Sequence, residues 1–151
     1  MTSDEQAVLV VHQGWMDANR TGDVGWLREH LAPEYWMANT NGSTYHGIDQ
    51  ICELWEYYRR FYAGWGVVEG PLVTCESRDP VVTVCGDAGW VAYRVRFAGH
   101  SVGGRGKGDF GAHDFDVNVR GTDIMRRIDG RWKIVHGHYS IGEPGAPAGG
   151  R

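Results

Sequence analysis

The apolar residues of this chain follow two different periods, and the period changes near residue 65. Before that point they recur every three or four positions, as on one face of a helix, for example at Val8, Val11 and Trp15. After it they alternate with polar residues at every second position, which is typical of strands. Helices followed by a run of strands predict an α+β domain, with the helices gathered on one face of a sheet.

Start and stop signals divide the chain into elements. Thr21-Gly22-Asp23 ends the first helix and begins a second one, which ends before Pro33. A brief strand is predicted over 34–39, and a third helix begins near Gly47. Asp129-Gly130 is a strong hairpin signal between the last two strands. The candidate strands after the change of period cover 66–76, 81–85, 89–98, 115–128 and 131–140.

Glycine is concentrated between two of the longest predicted strands. The segment from Gly99 to Gly111 holds six glycines in thirteen residues, and we expect a mobile loop there. Phe110 on this loop is a candidate lid over a binding site.

Length and charge restrict the class of protein. The 151 residues suit one domain over 1–141, and the Gly/Pro/Ala-rich tail 142–151 is predicted to be disordered. A net charge of −4 and a pI near 5.9 argue against a nucleic-acid partner. The acidic start lacks the features of a signal peptide, and no apolar run approaches the ~20 residues of a membrane span. We therefore expect a cytoplasmic protein without a membrane partner.

The region 120–140 resembles the closing hairpin of SnoaL-like proteins, which belong to the nuclear transport factor two-like superfamily. It carries the Asp129-Gly130 turn followed by Trp132 and His136-Gly137-His138. The same residues resemble the association domain of calcium/calmodulin-dependent protein kinase two. Gly86-Asp87-Ala88, Thr21-Gly22-Asp23 and Gly47-Ile48-Asp49 extend the similarity to about residues 4–141.

The resemblance implies an α+β fold in which a cone-shaped, curved antiparallel sheet carries three N-terminal helices on its concave face. It implies an enclosed hydrophobic pocket for a small organic metabolite. The implied activity is that of a cofactor-independent isomerase, cyclase, dehydratase or related lyase. A non-catalytic module for small-molecule binding or oligomerisation is the alternative, because one fold hosts many functions. Either way the resemblance implies a homodimer or a higher homo-oligomer.

Ketosteroid isomerase, a member of this superfamily, uses a carboxylate base together with tyrosine and aspartic acid donors. Counting from the shared motifs, the donor tyrosine falls on Trp15, and the base falls on Ala38 beside Asn39. The second donor falls on Ile124, and the adjacent Asp123 is expected to point to the opposite face of the strand. The match therefore disfavours steroid-type isomerisation by that mechanism.

Strand alternation predicts which polar side chains meet in the pocket. If Ile124 and Trp132 face the core, their strands carry further residues of the same parity inward. The polar residues predicted on this face are Asn118, Arg120, Thr122, His136 and His138. As catalytic groups, Arg120 would polarise an oxygen and His136 or His138 would transfer a proton. Buried structural hydrogen bonding is the alternative role for the same residues, and a β-bulge would break the alternation.

Flat side chains are the predicted walls of the pocket. The apolar substrate-binding residues are expected to be Trp15, Trp36, Trp55, Tyr58, Trp65 and Tyr93, with Asn118 and Thr122 as polar contacts. His12, Tyr45 and His46 are further candidates near the pocket mouth. No cofactor is predicted, although His113 with His136 and His138 leaves a metal site open as an alternative.

Overall fold

The computed structural model describes residues 1–61, 74–102 and 112–142. Helix α1 spans Ser3–Thr21, α2 spans Val24–His30 and α3 spans Gly47–Phe61. The Thr2 side chain caps α1, and Gly22 ends it in a left-handed conformation with φ of 70°. Asp23 then caps α2 by accepting from the Trp26 amide at 3.0 Å. The predicted break between the first two helices therefore follows from one Gly-Asp pair.

Six strands form a single sheet, with the order β2-β1-β6-β5-β4-β3. They span Leu31–Ala38 (β1), Thr44–His46 (β2), Thr74–Cys85 (β3), Ala88–Val102 (β4), Ala112–Ile128 (β5) and Arg131–Ile141 (β6). All neighbouring pairs are antiparallel except β1 and β6, which are parallel. The predicted antiparallel sheet is therefore confirmed for the other pairs and wrong at this one. Helix α3 and strands β2 to β5 lie between β1 and β6 in the chain, which allows a crossover connection.

Three strand assignments also differ from the predicted ones. The short β2 pairs with β1, in a region between the predicted strand 34–39 and the third helix where no strand was predicted. β3 is one strand with a register shift between Arg78 and Val81, where two separate strands were predicted. Pairing of β4 with β5 continues to Val102 and Ala112, so the first part of the predicted glycine loop is strand. The rest of that loop, including Phe110, and the tail from 143 lie outside the described residues.

The three helices pack on one face of the sheet, here called the inner face, and the core lies between them. Trp15 of α1 is at its centre, with ring contacts to Tyr35, Trp55 and Tyr139 at centroid distances of 6.3, 5.5 and 6.2 Å. The opposite, outer face of the sheet carries the exposed Trp36 and Trp90. Among the described residues, no helix has the length and hydropathy of a membrane span.

Candidate functional site

A pocket opens between α1, α3 and the inner face of the sheet. It holds about 650 Å³ of empty space, including part of its open mouth. Its walls are mainly aromatic and aliphatic, and the described lining residues include no charged side chain. The main apolar wall residues are Trp15, Met16, Trp55, Tyr58, Val95 and Phe97. A lining of this composition favours a neutral, largely apolar molecule over an anion or a cation.

Behind the pocket wall lies the carboxylate of Asp123, which is 0% exposed and does not itself line the pocket. Tyr139 donates a hydrogen bond from its hydroxyl to Oδ1 of Asp123. Tyr139 and Tyr93 both line the pocket, so they stand between the carboxylate and the pocket space. Burial, and then the nearby charge of Asp123, raise the pKa of Tyr93 and Tyr139 well above the usual 10. Both hydroxyls therefore stay protonated at neutral pH, and the hydrogen of Tyr139 is held by Asp123.

His12 of α1 lies on the other side of the same carboxylate. It is 1% exposed, and its Nδ1 is 3.7 Å from Oδ2 of Asp123. Within the described residues, neither of these two atoms has a hydrogen-bond partner. The other ring nitrogen, Nε2, is 2.8 Å from the Ser77 hydroxyl of β3, and the His12 ring meets the Tyr93 ring edge-on at 4.4 Å. The prediction that His12 reaches the pocket mouth is therefore wrong, because it lies behind Tyr93.

Two glycines of the inner face make room for the tyrosines. A Cβ at Gly121 would stand 2.6 Å from the ring of Tyr93. A Cβ at Gly137 would stand 2.6 Å from the hydroxyl of Tyr35 and closer still to that of Tyr139. These distances are far below van der Waals contact, so any larger residue would displace the rings. The glycines thus leave the space that the tyrosine rings occupy.

The mouth of the pocket has neutral polar groups from α1 and from the end of β1. Asn19, Asn39 and Thr40 line it. The Asn39 amide lies 3.5 Å from the Tyr58 hydroxyl, and Asn19 donates to the Trp15 carbonyl at 2.8 Å. The pocket therefore offers hydrogen bonds at both ends and apolar walls between them.

The polar residues predicted from strand alternation lie on the outer face, so the prediction that they face the pocket is wrong. On β5 the buried residues are Val119, Gly121, Asp123 and Met125, and the opposite parity carries Asn118, Arg120, Thr122 and the exposed Ile124 outward. Pairing with β4 is continuous along this strand. The error therefore came from taking Ile124 as an inward residue.

On β6 the alternation is broken by a bulge. Ile124 pairs with His136 while Met125 pairs with Ile134, so Val135 is an extra residue. Ile134 faces the core, but after the bulge Gly137 and Tyr139 face it instead of the two histidines. His138 is exposed, and His136 contacts the Trp36 carbonyl through Nδ1 at 3.1 Å on the outer face.

The predicted aromatic walls divide into three groups. Trp15, Trp55, Tyr58 and Tyr93 lie on the pocket wall. Trp36 is 40% exposed on the outer face, so its predicted place in the pocket is wrong. Trp65 lies outside the described residues.

The other candidates do not join the site. Tyr45 is buried and accepts a hydrogen bond from Asn41, whereas His46 stacks on the outer-face Trp36 at 5.9 Å. In the part of the chain that is described, no three His, Cys, Asp or Glu side chains are placed to hold a metal ion. The side chain of His113 is outside that part.

Asp123 and Tyr139 were missed as site residues, although a signal for Asp123 was present. Val117, Val119, Gly121 and Met125 form an apolar series of one parity, and Asp123 completes it. A single acid within such a series indicates a buried, paired carboxylate. The inward turn of Tyr139 depends on the bulge, which the alternation pattern does not reveal.

The chain was compared with protein families and with known proteins. The model of the SnoaL-like domain matches residues 8–144. A search of curated proteins finds no match. Among solved structures, a nuclear transport factor 2 (NTF2-like) superfamily protein from Salmonella enterica superposes with a TM-score of 0.75 at 16% identity, covering 97% of this chain and 96% of that one.

Two further structures are similar in fold. A ketosteroid isomerase-like protein from Erwinia carotovora has a TM-score of 0.73 at 10% identity, covering 95% of this chain and 100% of that one. The CamKII hub homology domain of Chlamydomonas reinhardtii has a TM-score of 0.69 at 19% identity, covering 93% and 100%. At these identities the structures establish the fold alone. The family match covers most of the sequence, and the protein therefore belongs to the SnoaL-like domain family.

Proposed function

We propose that the protein is a cofactor-independent enzyme of the lyase–isomerase range that moves a proton on a small, neutral, ring-containing metabolite. The observation that carries this proposal is the fully buried Asp123 behind the wall of an apolar pocket, with its bonded Tyr139 facing the pocket. Burying a carboxylate costs several kcal/mol, roughly, unless it is paired. A chain that keeps one beside a ligand-sized cavity is typical of acid–base chemistry.

The tyrosines are the groups that would contact the ligand. A carbonyl oxygen that becomes an enolate during proton transfer accepts a hydrogen bond from Tyr93, which holds its proton because its pKa is raised. Stabilising charge where it develops lowers the barrier, and loss of one such donor costs about 10²–10³-fold in rate. The wall residues Trp15 and Trp55 would orient a flat ring against the two tyrosines.

Asp123 would act through Tyr139. Tyr139 takes a proton from the carbon next to the ligand carbonyl while its own hydroxyl hydrogen passes to Oδ1 of Asp123. Tyr139 ends neutral, Asp123 ends as the neutral acid, and the negative charge moves to the enolate. This assignment replaces Arg120, His136 and His138 as catalytic groups, because their side chains lie on the other face of the sheet.

The test measures proton abstraction without knowledge of the natural substrate. A panel of neutral cyclic ketones and enones is incubated with the protein in D₂O, and NMR detects deuterium at the carbon next to the carbonyl. We expect Tyr139→Phe and Asp123→Asn to lower the exchange rate by about 10²-fold or more, with the fold retained in thermal unfolding. Arg120→Ala and His138→Ala are the matched controls and should exchange as the wild type does. Equal loss in Arg120→Ala, or no loss in Asp123→Asn, would overturn the assignment.

A second proposal concerns self-association, and it rests on a row of residues on the outer face. One cross-strand row, here called the outer row, runs across the whole sheet. From β2 to β3 it contains His46, Trp36, His136, Ile124, Trp90 and Thr83. Trp36, Ile124 and Trp90 are 40%, 39% and 41% exposed. We infer that a second copy of this chain covers the outer row, because exposed apolar patches of this kind mark interfaces.

Light scattering tests this association. The wild type is expected at twice the chain mass of 16.8 kDa or at a higher multiple, and Trp90→Glu with Ile124→Glu at the chain mass. Val10, which is 62% exposed on α1, provides the control Val10→Glu, which should leave the mass unchanged. A monomeric wild type would exclude the proposed interface.

A further inference from the structure

Asp123 has a buried neighbour, His12, that takes no part in the proposed chemistry. Nδ1 of His12 and Oδ2 of Asp123 face each other at 3.7 Å, beyond hydrogen-bond distance, and neither atom has a hydrogen-bond partner within the described part of the chain. A lone pair on Nδ1 facing the carboxylate would be repelled, so electrostatics favours the tautomer with the hydrogen on Nδ1. Nε2 then accepts from the Ser77 hydroxyl at 2.8 Å.

Strands β3, β4 and β5 each place a polar or titratable side chain near the His12 imidazole or its Asp123 neighbour. Tyr93 from β4 meets the ring at 4.4 Å, and Asp123 is the charged group from β5. From β3 come Ser77 and, near Asp123, the Cys75 thiol, whose pKa is raised to about 12 by burial and then by Asp123. Tyr93 and Cys75 therefore keep their protons near neutral pH. His12 is the neighbour through which a proton can reach Oδ2.

We propose that His12 and Ser77 form the route by which the buried Asp123 exchanges its proton with solvent while a ligand fills the pocket. The inference rests on the proposed function, since it assumes that the pocket is occupied during the reaction. A ligand lying against Tyr139 and Tyr93 keeps water from the carboxylate on the pocket side. His12 leads the other way, to the half-buried Ser77 on β3, which is an edge strand of the sheet.

The transfer balances as follows. A hydronium ion of the solvent gives a proton to the Ser77 oxygen and becomes water, while the hydroxyl hydrogen of Ser77 passes to Nε2 of His12. The Nδ1–H bond of His12 breaks, and that proton binds Oδ2 of Asp123. Serine and imidazole end neutral, Asp123 becomes a neutral acid, and the Tyr139 hydroxyl is freed to donate to a ligand oxygen. The reverse transfer restores the carboxylate and the original tautomer. His12 is therefore a positioning residue that sets the charge of Asp123.

The test fills the pocket with 4-nitrophenol, which has no carbonyl to react, so its outcome is independent of whether the pocket catalyses a reaction. NMR measures the rate at which the hydroxyl proton between Tyr139 and Asp123 exchanges with water, and Tyr139→Phe assigns its resonance. Ser77→Val and Ser77→Thr are a shape-matched pair that differ in the hydroxyl. Because a positioned proton carrier contributes at least about 10²-fold to transfer, we expect Ser77→Val and His12→Gln to slow exchange by about tenfold or more. Ser77→Thr should exchange within about twofold of the wild type.

Three outcomes would overturn the proposal. One is an exchange rate in Ser77→Val equal to that in Ser77→Thr. Another is slowing of wild-type exchange when 4-nitrophenol occupies the pocket, because the proton would then travel through the pocket. The third is covalent labelling of Ser77 by a fluorophosphonate, which would identify this serine as a nucleophile instead. If exchange behaves as expected but deuterium is not incorporated into ketones, the proposed function fails while the proton route stands.

Discussion

The hydrogen bond between Tyr139 and Asp123 can be measured by comparing two tyrosines with similar surroundings. The hydroxyls of Tyr139 and Tyr35 lie close together over Gly137, and both rings are buried. Tyr139 donates to Asp123, whereas the Tyr35 hydroxyl makes no hydrogen bond to that carboxylate. Tyr139→Phe and Tyr35→Phe therefore remove the same atom from nearly the same place. They differ in whether a buried charge loses its donor.

The expected magnitudes follow from that difference. A hydrogen bond to a charged group contributes about 1.5–3 kcal/mol, so Tyr139→Phe should lower the free energy of unfolding by about 2 kcal/mol. In a chain of this length that corresponds to roughly 4–8 °C in Tm. Tyr35→Phe should cost less than about 1 kcal/mol. Urea unfolding followed by tryptophan fluorescence gives both values, because Trp15 stacks on Tyr139 in the core. Equal losses in the two variants would refute the view that the Asp123 carboxylate depends on Tyr139.

Three further predictions concern packing, thiol reactivity and alkaline stability. Gly121→Ala should lower the free energy of unfolding by about 1–3 kcal/mol, because the new Cβ would stand 2.6 Å from the Tyr93 ring. Thermal unfolding checks this against Gly25→Ala, whose new Cβ would stand 3.3 Å from the Asp23 oxygen that caps α2 and which should cost less than about 1 kcal/mol. Iodoacetamide at pH 8 should modify the exposed Cys85 and spare Cys75, because burial raises the pKa of the Cys75 thiol to about 12. Mass spectrometry of the digest identifies the modified thiol, and rapid labelling of Cys75 would contradict the raised pKa. The pKa of Tyr93 is raised in the folded state, so the folded chain keeps a proton that the unfolded chain loses above about pH 10. The contribution of Tyr93 to the free energy of unfolding is therefore complete below that pH and falls above it by up to about 1.4 kcal/mol per pH unit. Urea unfolding from pH 9 to 11 should show a shallower fall in Tyr93→Phe than in the wild type, and equal slopes would argue against the raised pKa.

The helices were predictable because their signals are local. Gly22 and Asp23 terminate one helix and cap the next, and each does so through atoms within a few residues. The hairpin at Asp129-Gly130 was predictable for the same reason, since both residues adopt the positive φ that such a turn requires. Pairing of β1 with β6 joins residues about a hundred positions apart, and no local pattern encodes whether that pairing is parallel.

The candidate site was predicted on the right strands and on the wrong face. Period-2 alternation tells which residues share a face, but the choice of face depends on which series is taken as buried. Ile124 and Asp123 are neighbours, and hydrophobicity alone assigns the isoleucine to the core. In the structure Asp123 is buried because Tyr139 bonds it, and Tyr139 reaches it because Val135 bulges. Two non-local facts were therefore needed to place one carboxylate.

The bulge at Val135 links the two surfaces on which both functional proposals rest. Upstream of it β6 buries Ile134, and downstream of it the strand turns Tyr139 to the pocket and His136 to the outer row. In a strand with unbroken alternation Tyr139 would face outward and His136 would face the core, because a one-residue shift moves every later side chain to the other face. The bulge also increases the local twist of a sheet that curves around α1. Deleting Val135 would therefore break two contacts at once, that of Tyr139 with Asp123 and that of His136 with Trp36. The pocket and the outer face thus both depend on this one extra residue.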